Sequence, residues 1–413
     1  MTVSIAVMWL AGLLLFAMLV KPIAEKWHMP FASVLIALGF IGSELVVKAG
    51  FDTGIRYDSF HDLIFYIFLP LLIFQAAFTL DLTQLKAHWL PIVLFALPLM
   101  LLATAISALL IYWGIGHPSG FPFIAALLTG ILLSATDPAA VVGMMRDLGA
   151  PKRLCIVLEG ESLLNDAMAI VTFTVLLQLA LMPDFMLSLP DVALRFFSVF
   201  FGGLLFGVVM GVLGALLLNY FQDNISQAVV TMVAAYLGFL LAEKVLLVSG
   251  VITVLVAGLM LSHKLSKQRN KTKASLFVDD FWQFNVFVAE ALMFLFMGVT
   301  ITVTMFIDNW LAMLIAIAAV LIARVGLLAT GAVLLLPVKS QARLTMMDQR
   351  LLLTGGLRGA VTLALVLSLP TELSYWWTIQ SMAFGVVLFT FFVQAPLLPH
   401  LLQQAGQSKS SER

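Results

Sequence analysis

The chain has 413 residues, of which 62% are hydrophobic and 11% are charged, with a net charge of zero and a mean hydropathy of +1.08. Soluble domains carry about 25% charged residues, so this composition excludes an ordinary soluble protein and indicates a polytopic membrane protein. The length allows about a dozen spans of ~20 residues, and the single cysteine, Cys155, excludes an intrachain disulfide.

Hydrophobic runs separated by charged or Pro- and Gly-containing turns predict thirteen transmembrane segments. The first is followed by Lys21 and not by a small-residue cleavage site, which favours a membrane helix over a signal peptide. In chain order the predicted segments are 2–20, 29–48, 60–80, 88–113, 120–145, 155–182, 191–219, 226–246, 250–263, 280–305, 309–337, 350–369 and 375–401.

The basic residues predict the orientation of these segments. With the N-terminus outside, sixteen Lys and Arg residues fall in cytoplasmic connections or the C-terminal tail, and four fall in outside connections. This bias supports both the segment count and a cytoplasmic C-terminus. The two remaining basic residues, Arg324 and Arg358, lie within apolar segments, so each needs a buried carboxylate or carbonyl partner.

Two predicted segments are interrupted at corresponding places. The fifth contains Asp137-Pro138 mid-segment, and proline removes a helix hydrogen bond and clashes with the preceding turn. The twelfth contains the glycine-rich run 354–359 around Arg358. If segments 1–6 and 8–13 form an inverted repeat, these are matching discontinuous helices that cross at the membrane midplane, as in secondary transporters. The alternative is a pair of ordinary Pro and Gly kinks.

The sixth segment carries a polar cluster that points to a cation or proton site. A carboxylate at membrane depth costs roughly 2.5–3.5 kcal/mol, so it persists only with a counter-charge, a cation or a proton. Ser162 and Asp166 share one helix face at i,i+4, as do Glu161 and Asn165. Their oxygen atoms suit a small hard cation. The alternative is that one or two of these groups only hold helices together.

The same residues resemble the sodium/proton exchangers of the monovalent cation:proton antiporter-1 family, of the NhaP and NHE type. The matching pieces run in family order along nearly the whole chain. They are Thr136-Asp137-Pro138, the string LEGESLLND at 158–166 and Gly356-Leu357-Arg358-Gly359-Ala360, with weaker support from Leu69-Pro70, Phe281-Trp282 and Arg324.

The resemblance implies an all-α, NhaA-like antiporter fold and a homodimer in which each protomer moves a core domain against a dimerisation domain. Residues 1–402 would then form a single transporter domain in which both parts are interleaved, followed by a short polar cytoplasmic tail at 403–413. The resemblance also implies residue roles. Asp166 matches the carboxylate that binds Na+ and protons, and Asn165, Thr136, Asp137 and Ser162 match residues that support or line its site.

Two further implications concern charge. Glu161 and Arg358 match an internal ion pair of the family, and an Asn-Asp pair at 165–166 goes with electroneutral one-for-one exchange. The chain departs from the family pattern in two places, because Gln75 stands where a glutamate is usual and Glu290 where an asparagine is common. Glu290 either restores an acid to the core, or pairs with Arg324 or reaches an aqueous cavity.

The expected function is exchange of Na+ and Li+ for H+ across the cell (inner) membrane by alternating access, serving intracellular pH and sodium homeostasis. A K+/H+ antiporter of the same family is the alternative, and a cation channel is a further rival that would show non-saturating flux. The six histidines lie at segment ends and neither HExxH nor GxSxG occurs, so an enzyme is not expected.

No cofactor and no nucleic-acid partner are expected; the expected partners are the transported ions, a second copy of the chain and membrane lipids. Gly203, Gly207 and Gly211 form a GxxxGxxxG stripe on the seventh segment. That stripe predicts either a dimer face or close helix packing within the protomer.

Overall fold

The regular structure of the described residues is helical throughout in a computed structural model of the protein. The structure describes residues 3–26, 30–48, 62–80, 82–115, 120–147, 152–182, 189–268, 274–335 and 346–397. The predicted tail at 403–413 and the basic residues Lys339 and Arg343 lie outside these ranges.

The helices agree with the apolar runs of the sequence. In chain order they are α1 (Val3–Lys26), α2 (Phe31–Lys48), α3 (Ile64–Thr79), α4 (Leu82–Ala87), α5 (Trp89–Gly114), α6 (Phe123–Leu132), α7 (Ala139–Asp147), α8 (Lys152–Ala180), α9 (Leu189–Tyr220), α10 (Asn224–Leu246), α11 (Gly250–Gln268), α12 (Ala274–Thr300), α13 (Val303–Leu334), α14 (Met346–Thr354), α15 (Ala360–Leu367) and α16 (Trp376–Leu397). Among the described residues, seven helices are long and apolar enough to cross a membrane, and five shorter apolar helices have 10–17 residues.

Both predicted helix interruptions are present. The fifth predicted segment is two helices, because α6 ends at Leu132 and α7 begins at Ala139. The twelfth is also two helices, since α14 ends at Thr354 and α15 begins at Ala360. Proline and clustered glycines explain both breaks, because neither supports a continuous helical hydrogen-bond ladder.

The boundary between the eighth and ninth predicted segments is also confirmed. Helix α10 ends in a π-helical turn at Leu241–Leu246, and Leu247 then adopts the left-handed conformation with φ 53°. Helix α11 begins at Gly250, where a Cβ atom would lie 2.8 Å from both the Glu243 Cγ and a ring carbon of Phe239. The chain can therefore turn back sharply at this point only with glycine at position 250.

The chain divides into two compact units, each assembled from separate stretches of sequence. Unit 1 comprises Met1–His61, His88–Asn165 and Glu290–Arg413, and unit 2 comprises Asp62–Ala87 and Asp166–Ala289. Within the described residues of unit 1, α5 packs against α6 and α13, and α13 packs against α16. Within unit 2, α11 is central and packs against α3, α9 and α10.

The glycine stripe of α9 packs against α11 inside unit 2. A Cβ at Gly203 would lie 2.6 Å from the Ser249 carbonyl oxygen, and one at Gly207 would lie 2.9 Å from the Thr253 carbonyl oxygen. The Thr253 hydroxyl donates to the Gly203 carbonyl at 3.0 Å. Of the two uses predicted for the stripe, close packing within the protomer is therefore the one that the structure shows.

Candidate functional site

The candidate site is built around the polar stretch of α8. This helix is continuous from Lys152 to Ala180, and Glu161, Ser162, Asn165 and Asp166 on it are all buried. A helix satisfies its own backbone groups, so these side chains are free to bond elsewhere. Because hydrocarbon offers no water, each buried polar group needs a protein partner or an ion.

Ser162 and Asn165 bind the interrupted segment between α6 and α7. The Ser162 hydroxyl donates to the Thr136 carbonyl. The Asn165 amide nitrogen donates to the Ser134 carbonyl at 2.9 Å and to the Thr136 hydroxyl at 3.4 Å. These two side chains therefore stabilise carbonyl groups that the interruption of the helix releases.

The two helix interruptions contact each other in unit 1. The Asp137 backbone N–H donates to the Leu357 carbonyl at 2.8 Å, and the Thr362 hydroxyl donates to the Ala135 carbonyl at 3.3 Å. A Cβ atom at position 359 would overlap the Asp137 carboxylate, so only glycine allows this approach. The two breaks thus form one connected structure in which Asp137 lies directly on the Gly359 backbone.

The Glu161 carboxylate forms a buried ion pair with Arg324 of α13. Its Oε1 lies 2.6 Å from the Arg324 Nη1, and the two side chains are 1% and 6% exposed. Arg324 Nη2 also donates to the Leu352 carbonyl at 3.3 Å, near the end of α14. From the sequence, Arg324 is expected only as a possible accessory residue that pairs with Glu290, whereas the structure pairs it with Glu161. A Glu161–Arg358 pair stays a prediction.

Arg358 lies beside this ion pair. Its Nη1 donates to the Gly356 carbonyl at 2.9 Å, and its backbone N–H donates to the Thr390 hydroxyl at 3.4 Å. A Cβ at Gly356 would lie 3.3 Å from the Arg324 Nε and 3.6 Å from the Arg358 Nη1, so both guanidinium groups pass this glycine. The second interruption therefore carries two fixed positive charges.

A small cavity connects these groups within unit 1. Its volume is about 20 Å³, and its polar walls come from Ser107, Ser134, Asn165, Arg324 and Arg358. A cavity must have a volume of about 10–15 Å³ to hold one water molecule, so this cavity accommodates a water. Asn165 Oδ1 is buried and makes no hydrogen bond to the residues that the structure describes.

The remaining acidic candidates have different surroundings. Asp137 and Glu290 are partly buried, and their carboxylates are close enough to interact electrostatically. Asp166 directly follows Asn165 on α8. Gln75 lies on α3 in unit 2, beside Phe74, whose ring stacks on Trp282 at 4.3 Å. Within the described part of the chain, the buried Gln75 Oε1 makes no hydrogen bond.

Comparison with known proteins places the chain in a family. A family model described as sodium/hydrogen exchanger, transmembrane, matches residues 12–404. The chain belongs to this exchanger family. Within this family, the chain is 35% identical over 379 residues to the Low-affinity Na+/H+ antiporter NhaS1 of Synechocystis sp.. The matched region covers 90% of the chain and 68% of NhaS1.

A second relative supports the same membership, and a solved structure shows the same fold. The chain is 34% identical to the Na+/H+ antiporter ApNhaP of Aphanothece halophytica, over 84% of the chain and 65% of ApNhaP. The chain thus spans about two thirds of the length of these first two relatives. Its fold resembles the sodium proton antiporter MjNhaP1 from Methanocaldococcus jannaschii with a TM-score of 0.82 and 22% identity, covering 96% and 100% of the two chains.

Most residues that the sequence proposed for this exchanger-family site lie together in unit 1. They are Thr136, Asp137, Glu161, Ser162, Asn165, Glu290, Arg324 and Arg358. Sequence reasoning missed the groups that complete the two interruptions, namely Ser134, Leu352, Leu357, Gly359 as a contact of Asp137, Thr362 and Gln394. Most act through backbone atoms, which leave no signal in a single sequence. Thr362 and Gln394 are the exceptions, because they act through their side chains.

Proposed function

We propose that this chain is a secondary active antiporter that exchanges Na+ for H+ across the membrane, with Asp166 as the carboxylate that binds both ions in turn. The observation that carries the proposal is the placement of Asn165, whose amide binds the Ser134 carbonyl of the interrupted helix. The next residue on the same helix is the buried Asp166. Membership of the exchanger family over residues 12–404 supports the same assignment.

Exchange would follow from competition at one carboxylate. A proton or a Na+ ion neutralises Asp166, so the loaded site can cross the apolar barrier, while the empty carboxylate is costly to move. Asn165, Ser162, Thr136 and Asp137 would position and line the site. One charge traded for one charge is electroneutral, so the membrane potential, worth about 2.3 kcal/mol per charge per 100 mV, does no net work.

The architecture we propose for this activity has thirteen membrane segments in an inverted repeat. The pairs α6–α7 and α14–α15 would be its two discontinuous helices, crossing at the midplane. The N-terminus would lie outside and the C-terminus in the cytoplasm, in the cell membrane. A homodimer with interleaved core and dimerisation domains completes the proposal; the contacts between Asp137, Leu357 and Gly359 support the crossing.

The direct test is Asp166→Asn, reconstituted in proteoliposomes and assayed for pH-dependent Na+ flux. Exchange should be abolished while the protein still folds, because Asp166 is the group for which Na+ and H+ compete in this proposal. Asp223→Asn is the matched control, since it makes the same change at an exposed position and should exchange like the wild type. Retained Na+-driven proton flux in Asp166→Asn would refute the assignment.

Ion selectivity separates the proposal from its alternatives. In everted vesicles a pH-sensitive dye should dequench on addition of Na+ or Li+, with saturation at transporter-like rates. A response to K+ alone would instead identify a K+/H+ antiporter, and a flux that does not saturate would identify a channel.

Glu290 is the second acid that we assign to the site. Its electrostatic neighbour is the Asp137 carboxylate, which supports the role of a compensating acid for the family glutamate replaced by Gln75. Glu290→Gln should lower the apparent Na+ affinity and change the pH profile of exchange. Gln75→Glu added to Glu290→Gln should restore part of that affinity. An unchanged affinity and pH profile in Glu290→Gln would contradict the role.

A further inference from the structure

A second polar cavity lies in unit 2, in a part of the chain that the exchange mechanism does not use. Its volume is about 270 Å³, far above the ~10–15 Å³ that one water needs. Ligand pockets for drug-sized molecules span about 300–1,000 Å³, so this cavity suits a smaller polyatomic group and not a single ion.

Two opposite charges line this cavity. Arg195 near the start of α9 and Glu243 near the end of α10 both contribute to its wall. Arg195 Nη2 donates to the Gln178 amide oxygen at 2.7 Å, and Glu243 Oε1 accepts from the Gly250 N–H at 2.8 Å. These bonds hold both side chains in place without joining them in an ion pair. Each therefore keeps hydrogen-bonding capacity for a ligand, since a guanidinium has five N–H donors and a carboxylate about four acceptor sites.

The rest of the wall is aliphatic with a few hydroxyl groups. The hydroxyls belong to Thr174, Ser198 and Ser249, and most of the remaining wall comes from Ile170, Val171, Val175, Val199, Val248 and Val251. A cavity with this composition matches an amphiphile, whose charged end meets Arg195 and Glu243 and whose apolar part meets the valines.

The position of the cavity also favours a membrane lipid. It lies where α8 and α10 end and α9 and α11 begin, that is, at one end of the helix bundle of unit 2. Leu247 on its rim is 75% exposed and Leu194, beside Arg195, is 72% exposed. In a membrane protein such apolar side chains face acyl chains, while charged groups at helix ends face the headgroup layer.

We propose that this cavity binds the headgroup of a phosphatidylethanolamine-type lipid. The phosphate would accept hydrogen bonds from the Arg195 guanidinium, as basic groups between membrane helices bind lipid headgroups. The primary ammonium would donate to the Glu243 carboxylate. Lys244 does not compete for the phosphate, because its ammonium lies over the Tyr66 ring at 4.7 Å.

The chemistry predicts which lipids the cavity rejects. Phosphatidylglycerol has the phosphate but lacks the ammonium, and phosphatidylcholine has a quaternary nitrogen without N–H donors. Loss of one charge-assisted hydrogen bond costs roughly tenfold in affinity. The wild-type chain, purified in detergent and measured by native mass spectrometry, should therefore retain phosphatidylethanolamine about tenfold better than either lipid of equal chain length. Equal retention of all three lipids overturns the proposal without any variant.

Variants then locate the binding site. Glu243→Gln should abolish the preference for phosphatidylethanolamine, and Gln at 243 keeps an acceptor for the Gly250 N–H. Arg195→Gln should instead weaken retention of all three lipids, because each of them carries the phosphate. Lys244→Gln is the matched control, because it removes a neighbouring exposed charge that does not line the cavity. Wild-type preference in Glu243→Gln, or wild-type retention of the lipids in Arg195→Gln, would overturn the assignment of this cavity.

Soluble compounds that carry the same charged groups as the lipid headgroup are tested separately. Free phosphoethanolamine and inorganic phosphate are added to the wild-type chain while its thermal unfolding is followed. Phosphatidylethanolamine should raise the unfolding temperature, and neither soluble compound should do so at equal concentration. If phosphoethanolamine stabilises the protein as much as the lipid does, the site recognises a soluble zwitterion and the lipid assignment is wrong.

Discussion

The two helix interruptions of unit 1 differ in the groups that stabilise them. At the first, between α6 and α7, the donors to the Ser134 and Thr136 carbonyls are the neutral side chains of Asn165 and Ser162. Acidic groups are the charges nearby, because Asp137 lies within the break and interacts electrostatically with Glu290. The first interruption is therefore negative in character.

At the second interruption the donors include two arginines. Arg324 donates to the Leu352 carbonyl near the C-terminus of α14, and Arg358 donates to the Gly356 carbonyl. Gln394 adds bonds to the Leu353 and Thr354 carbonyls at 2.8 and 3.1 Å. Cations at a helix C-terminus offset its partial negative charge. A fixed positive charge thus stabilises one break, whereas the groups that stabilise the other are neutral and the nearby charges are acidic.

The largest expected effect comes from removing the fixed charge at the second interruption. Arg324→Met leaves the Glu161 carboxylate buried without its partner, and breaking a buried ion pair in this way costs about 3–5 kcal/mol. Thermal unfolding of the purified chain should show a large loss of stability. Replacing both partners, as in Glu161→Leu with Arg324→Met, should recover most of it, because a buried pair can be exchanged for apolar residues at little cost.

A matched control is the ion pair between Arg146 and Glu159, whose side chains are 64% and 25% exposed. Water screens such a pair, so Arg146→Gln should cost at most about 1 kcal/mol. If Arg324→Met and Arg146→Gln destabilise the protein equally, Arg324 does not stabilise the second interruption as described.

The next largest effect tests the contact between the two interruptions. In Gly359→Ala the new methyl group overlaps the Asp137 carboxylate, so one of the two breaks must move. Overpacking a tight contact costs about 1–3 kcal/mol, and displacement of Asp137 should also lower exchange in proteoliposomes. Gly143→Ala on α7 is the control, since a Cβ there meets no atom within 4 Å. Normal exchange and stability in Gly359→Ala would show that the breaks can separate freely.

A smaller effect distinguishes the two interruptions by comparing one amide donor at each. Asn165→Ala and Gln394→Ala each remove an amide that binds an interruption, and a hydrogen bond between membrane helices contributes about 0.6 kcal/mol, reaching ~1.7. Both variants should therefore lose similar, modest stability. Asn165→Ala should in addition weaken Na+ exchange, because it acts at the negative interruption next to Asp166. Equal loss of exchange in both variants would contradict the distinction between the two breaks.

Sequence reasoning found the interruptions but not the partners that stabilise them. Pro138 and the glycines around Arg358 act on the local backbone, so their effect follows from residue type alone. The buried acids of α8 were equally visible, because a charge inside an apolar run is costly wherever it lies. Which arginine meets Glu161 depends on helix rotation and packing, and one sequence contains no record of either. The four π-helical turns of the described residues, such as Leu241–Leu246, are not predicted from the sequence for the same reason.

The smallest expected effect contrasts the partly buried Asp137, which precedes α7, with the exposed Asp223, which caps α10. Asp223 Oδ1 accepts from the Ser226 N–H at 2.9 Å, and hydrogen bonds from the Ser226 hydroxyl and backbone hold the pKa of Asp223 below its usual value. Because the pKa is lower in the folded state, the charged Asp223 stabilises the protein at pH values above its unfolded-state pKa of about 3.9. That stabilisation is lost as the pH falls through the folded-state pKa.

Asp223→Ala should thus be slightly less stable than the wild type at pH 7, and the difference should shrink below about pH 4. Asp223→Asn keeps the acceptor oxygen, so its difference from the Ala variant should not depend on pH. Thermal unfolding of the three proteins at both pH values measures this, and a wild-type advantage over Ala that persists in acid would mean that the charge of Asp223 does not matter. Exchange should be unaffected in both variants, because Asp223 is exposed to solvent and lies outside the candidate site.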